Sequence, residues 1–321
     1  MQKELREVPG VTVLIYDQVC ATEKRRRRKR GTMAAADKRV FINPLVCEGC
    51  GDCSAASHCV SIEPLETEFG RKRKIDQSTC NQDYSCLNGF CPSFVTVIGA
   101  KLKKGEGIKE QVDVAALPEP TLPRIEQTYN MIVTGVGGTG IVTIGALVTM
   151  AAHLEGKSAS QLDFMGFAQK GGAVLSNIRL AQTPALLNQV RIDTQQADCL
   201  LACDLVVGAS DDALQTVKHG RTRIIANTHP IPTAAFVRDP AADLHADALL
   251  EKMRFAAGPG QLATLDAQAI AERLLGDTMP SNIVMLGVAF QRGLVPLSEA
   301  ALLRAIELNG VAVEANRLAF A

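Results

Sequence analysis

The 321-residue chain contains no tryptophan, three tyrosines and ten phenylalanines. So few ring faces make it a poor platform for stacking single-stranded nucleic acid or sugars. It also lacks any excess of charge, because 34 basic side chains balance 34 acidic ones, which removes the bulk electrostatic pull toward nucleic acid or an anionic membrane. The start, MQKELREVPG, has no apolar stretch behind its charges, so a secretory leader is not read there and a reducing, cytoplasmic setting is expected. One long uncharged run exists, from Met131 to Ala152. The glycines clustered at its start (Gly135, Gly137, Gly138, Gly140) and Gly145 argue for strand, tight turn and buried helix, and against a membrane span.

What the chain does have is cysteine in one place. Seven of its ten cysteines fall between Cys47 and Cys91, and the others are Cys20, Cys199 and Cys203. In a reducing setting such density predicts metal or redox chemistry in preference to a disulfide framework. Cys47, Cys50 and Cys53 stand as C-x2-C-x2-C, and Gly49 and Gly51 let the loop fold tightly enough to aim three thiolates at one cubane face. A remote Cys-Pro supplies the usual fourth ligand, and Cys91-Pro92 fits. The metal set read from spacing is therefore Cys47, Cys50, Cys53 and Cys91 around a [4Fe–4S] cluster, with zinc as the competitor. Cys59, Cys80 and Cys86 depart from the two-cluster spacing and would hold a second centre only with a foreign ligand or three irons. His58 is a candidate for that ligand, or a solvent-facing loop residue. Cys20, Cys199 and Cys203 read as small buried hydrophobes.

Along the chain, VTVLIY (residues 11–16) has strand composition but needs partners. Lys24–Arg30 is a basic run, read as a solvated segment packing on acidic neighbours, a docking strip for an acidic protein, or a nucleic-acid patch. Glu63–Glu68 and Arg71–Ile75 flank Phe69-Gly70 as a hairpin. Residues 101–127 carry Pro118, Pro120 and Pro123 and read as a linker. Beyond them strands (131–134, 161–164, 173–180, 204–208, 223–226) alternate with helices (140–154, 211–218), the pattern of an α/β domain with a mainly parallel sheet. Ser298 caps a predicted helix that ends at Asn309-Gly310.

Gly135, Gly137 and Gly140 satisfy G-x-G-x-x-G after an apolar strand, a context for binding phosphate at a helix N-terminus. Asp163 is the available ribose acid. The plainer reading is that these glycines let helix and strand pack closely. Lys170, Gly171 and Gly172 follow the second strand, where such sheets display functional groups. Ser176 and Ile178 share one face of the next strand; Asn177 and Arg179 share the other, which a solvated face would explain. His153, His219, His229 and His245 have no ligand-like spacing.

CEGCGDC, EFGRKRKIDQSTC, CLNGFCPSF, GVGGTGIVTIGALV, AQKGGAV and NIVMLGVAFQRGLVPLS together resemble the fused indolepyruvate ferredoxin oxidoreductases of the 2-oxoacid:ferredoxin oxidoreductase family. The resemblance spans about Val11 to Phe320. It implies four segments: a C-terminal remnant of a thiamine diphosphate-binding domain with the basic run (1–36), a ferredoxin-like 4Fe-4S domain (37–100), the linker (101–127) and a gamma-type catalytic domain (128–321). The implied reaction is oxidative decarboxylation of an aryl-pyruvate with CoA, giving acyl-CoA and carbon dioxide and passing two electrons to ferredoxin. Cys47, Cys50, Cys53 and Cys91 would relay electrons, and the loops at 135–140 and 169–172 would shape the active-site or CoA side. Thiamine diphosphate and magnesium would sit on a portion this sequence lacks, since it holds no G-D-G…N segment, so the chain alone is expected to be inactive. A homo-oligomeric assembly is implied as well. The alternative from another class is a zinc-stabilised nucleotide- or nucleic-acid-binding module.

Overall fold

A computed structural model describes residues 1–100, 117–165, 172–229, 231, 239 and 245–321, apart from the Thr22 side chain. Residues 128–321 build a three-layer α/β unit on a six-stranded sheet of β5 (Thr128–Val136), β6 (Ser158–Met165), β7 (Ala173–Ala181), β8 (Cys199–Ala202), β9 (Arg223–Asn227) and β10 (Leu262–Leu265), in spatial order β10-β9-β8-β5-β7-β6. The pairs from β10 through β5 are parallel, whereas β7 runs antiparallel to both β5 and β6. The sheet is thus mixed but mainly parallel, three of its five strand pairs running parallel as expected.

Side chains alternate across each strand, which sorts the apolar residues into two cores. Met131, Val133, Cys199, Leu201 and Ile225 face one layer. Ile132, Leu200, Ala202, Ile224 and Ala226 face the other. The first layer holds α4 (Ile141–Leu154), whose buried residues 141, 144, 145, 147, 148, 151 and 152 follow the helical period, with the later helices α8 (Ala267–Leu275), α9 (Ser281–Gln291), α10 (Glu299–Asn309) and α11 (Val313–Phe320). The second holds α5 (Leu205–Gly208) and α7 (Ala246–Ala257); α6 (Asp211–Leu214) lies between them in sequence. Ser298 caps α10 through Ala301 N, and Gly310 ends it in the left-handed conformation, both as the sequence predicts.

A smaller unit precedes this one. Its β1 (Lys38–Ile42) pairs antiparallel with β4 (Phe94–Ile98), and β2 (Ile62–Thr67) with β3 (Gly70–Ile75) forms the expected hairpin, Thr67 opposite Gly70. A short helix, α3 (Asp52–Ser57), follows the cysteine loop. The core is slight: Ile42, Cys47 and Ile62, with half-buried Cys53, Cys59, Ile75, Cys86 and Phe94 against it. A unit this small gains little from burial and depends on added ties such as metal or docking.

Three expectations change. Residues 11–16 form no strand; Val11, Val13, Ile15 and Tyr16 are exposed, since no neighbouring strand among the described residues offers hydrogen bonds. Residues 204–208 are not a strand: the strand lies earlier, at Cys199–Ala202, and Asp204 starts α5 by accepting a hydrogen bond from Val207 N. The predicted helix over 211–218 is one turn long, Asp211–Leu214. The linker falls partly outside the described residues, at 101–116. Its remainder packs on the α/β unit: Ile125 is in the core and Pro118 O accepts from Gln291 Nε2 at 2.6 Å. Cys199 and Cys203 are buried as small apolar residues, but Cys20, read the same way, is exposed, because it lies in the N-terminal stretch ahead of the small unit and not in a core.

Candidate functional site

The cysteine loop is shaped by two glycines. Gly49 (φ +77) and Gly51 (φ +87) both take the left-handed conformation, and a Cβ on Gly49 would run into the Arg71 carbonyl of β3. Only glycine serves there. The bend lets Gly49 N–H point at Cys47 Sγ, 3.4 Å away. All ten cysteines are free thiols. Cys47 is buried, Cys53 half-buried, Cys50 and Cys91 exposed, and Cys91 Sγ lies 3.0 Å from Ser93 Oγ. Burial raises the Cys53 and Cys80 thiols, and burial together with neighbouring Cys80 and Cys59 pushes Cys86 up to about 12. Such thiols stay protonated until a metal displaces the proton.

The donor set and backbone therefore suit an iron–sulfur centre. The sulfur positions do not yet form one: among the described residues no three His, Cys, Asp or Glu side chains stand close enough to hold a metal ion. Ligation would have to draw the loop and Cys91 together, as metal binding and folding commonly do in small metal domains. His58 is exposed, in a left-handed helix cap, and matches the solvent-facing reading.

The glycine loop lies at the carboxyl edge of β5, and it faces the cysteine module. Gly135 has a packing role, since a Cβ there would meet the Ile141 side chain; Gly145 likewise abuts Gln161. Gly138 and Gly140 take positive φ, and Gly140 opens α4. Gly137 N–H donates to Gly172 O at 2.7 Å, which ties two of the predicted segments together. Lys170 and Gly171 lie outside the described residues. Asp163 does not serve the loop: it sits on edge strand β6, with β7 between it and β5, and it accepts from Gln161 Nε2 at 3.0 and 3.1 Å. Asn177 and Arg179 are not solvated either. Asn177 Oδ1 accepts from Ile192 N at 3.0 Å, and Arg179, 5% exposed, donates to Asn130 Oδ1 and Gln189 O.

Between the two units lies a cleft of about 60 Å³, space for a handful of waters. Gly137, Gly138, Thr139 and Asn282 form one wall; Glu63, Asp76 and Asn81 form the other. Asn282 Nδ2 donates to Thr139 O at 3.0 Å and steadies the loop. Asn81 is 3% exposed, and its Oδ1 has no hydrogen-bond partner. The basic run forms α2 (Ala21–Lys29) and acts as a splint. Arg25 and Arg28 donate to the carbonyls of Thr79 and Asn81 at 2.8 Å, and Lys29 pairs with Asp277 at 3.1 Å. Of the three readings of this run, packing describes these residues, although carbonyls take most of the contacts. Thr278 Oγ1 donates to Asp76 Oδ2 at 3.3 Å.

One residue given no role by the sequence also sits here. His229, just past β9, has Nε2 3.8 Å from Glu63 Oε1, and Lys74 Nζ is 3.2 Å from Glu63 Oε2. Burial would lower the His229 pKa, but Glu63 outweighs it and the net shift is upward. Burial would raise Glu63, yet His229 and then Lys74 bring it below its ordinary value. The two partners lie in different units, so no local spacing could have announced them.

Among the described residues no helix is long and apolar enough to cross a membrane. Residues 130–321 match the family described as pyruvate ferredoxin/flavodoxin oxidoreductase. Indolepyruvate oxidoreductase subunit IorB of Methanothermobacter thermautotrophicus is 28% identical over 181 residues, 56% of this chain and 87% of that protein. The pyruvate/ketoisovalerate oxidoreductases common subunit gamma of Thermococcus kodakarensis is 29% identical over 165 residues, 51% of this chain and 77% of that one. The keto/oxoacid ferredoxin oxidoreductase gamma subunit of Geobacter sulfurreducens aligns in space over 60% of this chain and 94% of its own, at 24% identity and a TM-score of 0.41. With three-fifths of its length inside one family's domain, the chain belongs to the pyruvate ferredoxin/flavodoxin oxidoreductase family.

Proposed function

We propose that this chain supplies the iron–sulfur relay and the gamma-type domain of an indolepyruvate (aryl-pyruvate):ferredoxin oxidoreductase. CoA is the co-substrate and ferredoxin the electron acceptor. One observation carries the reading: a domain of this family and a C-x2-C-x2-C module share one chain, and the module packs on the carboxyl edge of the domain's sheet. The relatives named as indolepyruvate oxidoreductase subunits support the substrate class.

In this reading Cys47, Cys50, Cys53 and Cys91 hold a [4Fe–4S] cluster, with Cys59, Cys80 and Cys86 as candidates for a second centre. The cluster supplies one-electron acceptance when bound. Gly49 and Gly51 set the loop, and α2 with the Thr278–Asp76 contact fixes the module against the domain. The loop at 135–140 with Gly172, and Lys170 and Gly171 beyond the described residues, shape the side that receives CoA or substrate. Thiamine diphosphate and magnesium belong to a separate portion, without which the chain does not turn over.

The test is iron, zinc and acid-labile sulfide per chain after anaerobic purification. Reduction of ferredoxin, dependent on indolepyruvate and CoA, is then measured once a thiamine-binding portion is added. About four irons and four sulfides, with activity only in the mixture, are expected; about seven or eight irons would add the second centre. Zinc without sulfide would overturn the relay and favour a zinc-stabilised binding module.

A further inference from the structure

The helices of the α/β unit mark their solvent side with charge. Glu251 and Lys252 are exposed on α7, Glu272 and Arg273 on α8, and α10 and α11 follow the same pattern; α9 has no exposed residue at all. The exception is α4. Its fourteen residues, IVTIGALVTMAAHL, include no acid, lysine or arginine, yet Val142, Thr143, Ala146, Met150, His153 and Leu154 are exposed. Val142, Met150 and Leu154 stand 38%, 40% and 43% open to solvent. Thr149 turns its hydroxyl back onto the Gly145 carbonyl at 3.0 Å, so it makes no demand for water. The next acid in sequence, Glu155, already pairs with Lys157 and accepts from Ser298 N. A helix apolar on both faces is one that is covered on both.

The shape of the open face says what covers it. Val142, Ala146, Met150 and Leu154 fall four residues apart and form a ridge about 18 Å long, the kind of row along which packed helices most often cross. The ridge is balanced about a point midway between Ala146 and Met150. Turned onto a second copy by a two-fold axis through that point, it sets Ala146 opposite Met150 of the second copy and Val142 opposite Leu154 of the second copy. A smaller side chain meets a larger one each time, so the two ridges interlock.

Charge favours the same occupant. Near a two-fold axis a charged residue faces like charge from the identical patch, so such a contact requires an uncharged centre. A different partner imposes no such rule, and those interfaces use complementary charge for register. The apolar surface on offer is a few hundred Å², on the order of the fully buried centre of a standard interface of about 800 Å² per partner.

We infer that the outer ridge of α4 is a two-fold interface between copies of this chain, with the two α4 helices crossing antiparallel at Ala146 and Met150. It uses no cysteine and no residue of the glycine loop, so it stands whether or not the cluster and CoA readings hold.

The experiment is analytical ultracentrifugation of the full chain from about 0.1 to 100 μM. The unaltered chain is expected to show a monomer–dimer equilibrium. A146E and M150E each place a carboxylate beside the axis and should weaken the dimer about tenfold or more. M150K should weaken it as well. Mixing A146E with M150K sets a carboxylate opposite an ammonium across the crossing, and the mixture should associate more tightly than either variant alone. A248E, at an exposed position of α7 in the opposite layer, should change nothing. Circular dichroism checks that each variant keeps its fold; A146E and M150E lie at exposed positions, and either decides by itself if the other does not fold. A chain that stays monomeric throughout, or a dimer that A146E and M150E leave unweakened, would overturn the interface. No gain on mixing A146E with M150K would overturn the antiparallel crossing. Should the chain be monomeric alone but join a thiamine-binding portion through contacts that A146E abolishes, the ridge belongs to that partner and the assignment to a second copy falls.

Discussion

Replacing His229 with glutamine probes the joint between the two units. At 3.8 Å and an effective dielectric of about 20, protonated His229 and Glu63 attract by about 4 kcal/mol. Desolvation of two largely buried groups consumes most of that, leaving a net of about 1 to 2 kcal/mol. The sign of the pH dependence follows from the directions of the shifts. His229 is raised, so its contribution is complete below the ordinary histidine value of about 6.5 and fades as pH rises through the folded value. Glu63 is depressed, so its contribution is present above the ordinary glutamate value of about 4.3 and fades as pH falls through the folded value. The pair is strongest between those limits. Urea unfolding followed by circular dichroism should therefore show H229Q costing about 1 to 2 kcal/mol near pH 5.5 and under about 0.5 kcal/mol near pH 8.5. Asp266 also favours the protonated histidine and Lys74 opposes it, so D266N should narrow the same window from above. A cost that is equal at both pH values, or larger at the alkaline one, would refute the ion pair.

Gly49→Ala forces a Cβ into the Arg71 carbonyl at positive φ; the module should lose about 2 kcal/mol or more, read as a fall in bound iron and greater protease sensitivity over residues 37–100. Tyr129→Phe removes the buried hydrogen bond from the Tyr129 hydroxyl to Leu294 O at 2.8 Å and should cost about 1 to 2 kcal/mol in urea unfolding. Gly287→Ala places a methyl against the Phe320 backbone, where α9 crosses α11; about 1 to 3 kcal/mol is expected, with faster hydrogen exchange confined to α11. The solvent-open Gly156→Ala change has no such clash and should cost less, through its positive φ alone, in the same exchange measurement.

Much of the local architecture can be read from residues that punctuate the chain. Phe69-Gly70 predicts the hairpin because the turn needs a glycine, and Ser298 with Asn309-Gly310 brackets α10 because caps are local chemistry. The strand misassigned to 204–208 shows the limit of apolarity alone. CLLACDLVVG is apolar almost throughout, and the decision falls to Asp204, whose carboxylate accepts from Val207 N and turns the chain into a helix. Strand propensity in VTVLIY is likewise insufficient without a partner edge. At the candidate site, C-x2-C-x2-C and the glycines were legible because their function depends on short spacing. The cleft and the His229–Glu63 pair were not, because both arise from surfaces brought together by tertiary packing. Asp163 fails for the same reason: an acid at the end of the second strand serves β5 only if that strand is its neighbour, and β7 intervenes.

The splint formed by α2 also has a bearing on how the protein is made. Lys29 meets Asp277, 248 residues further along the chain, and Asp76 meets Thr278, 202 residues further along. At about 5 to 20 residues per second, a ribosome delivers the second half of either contact tens of seconds after the first. The cysteine module consequently emerges, and can fold, while the surface it will rest on does not yet exist. Docking therefore comes late, because it awaits the turn that leads into α9. A chain stalled before that turn would carry its thiol loop on a module with nothing to dock against.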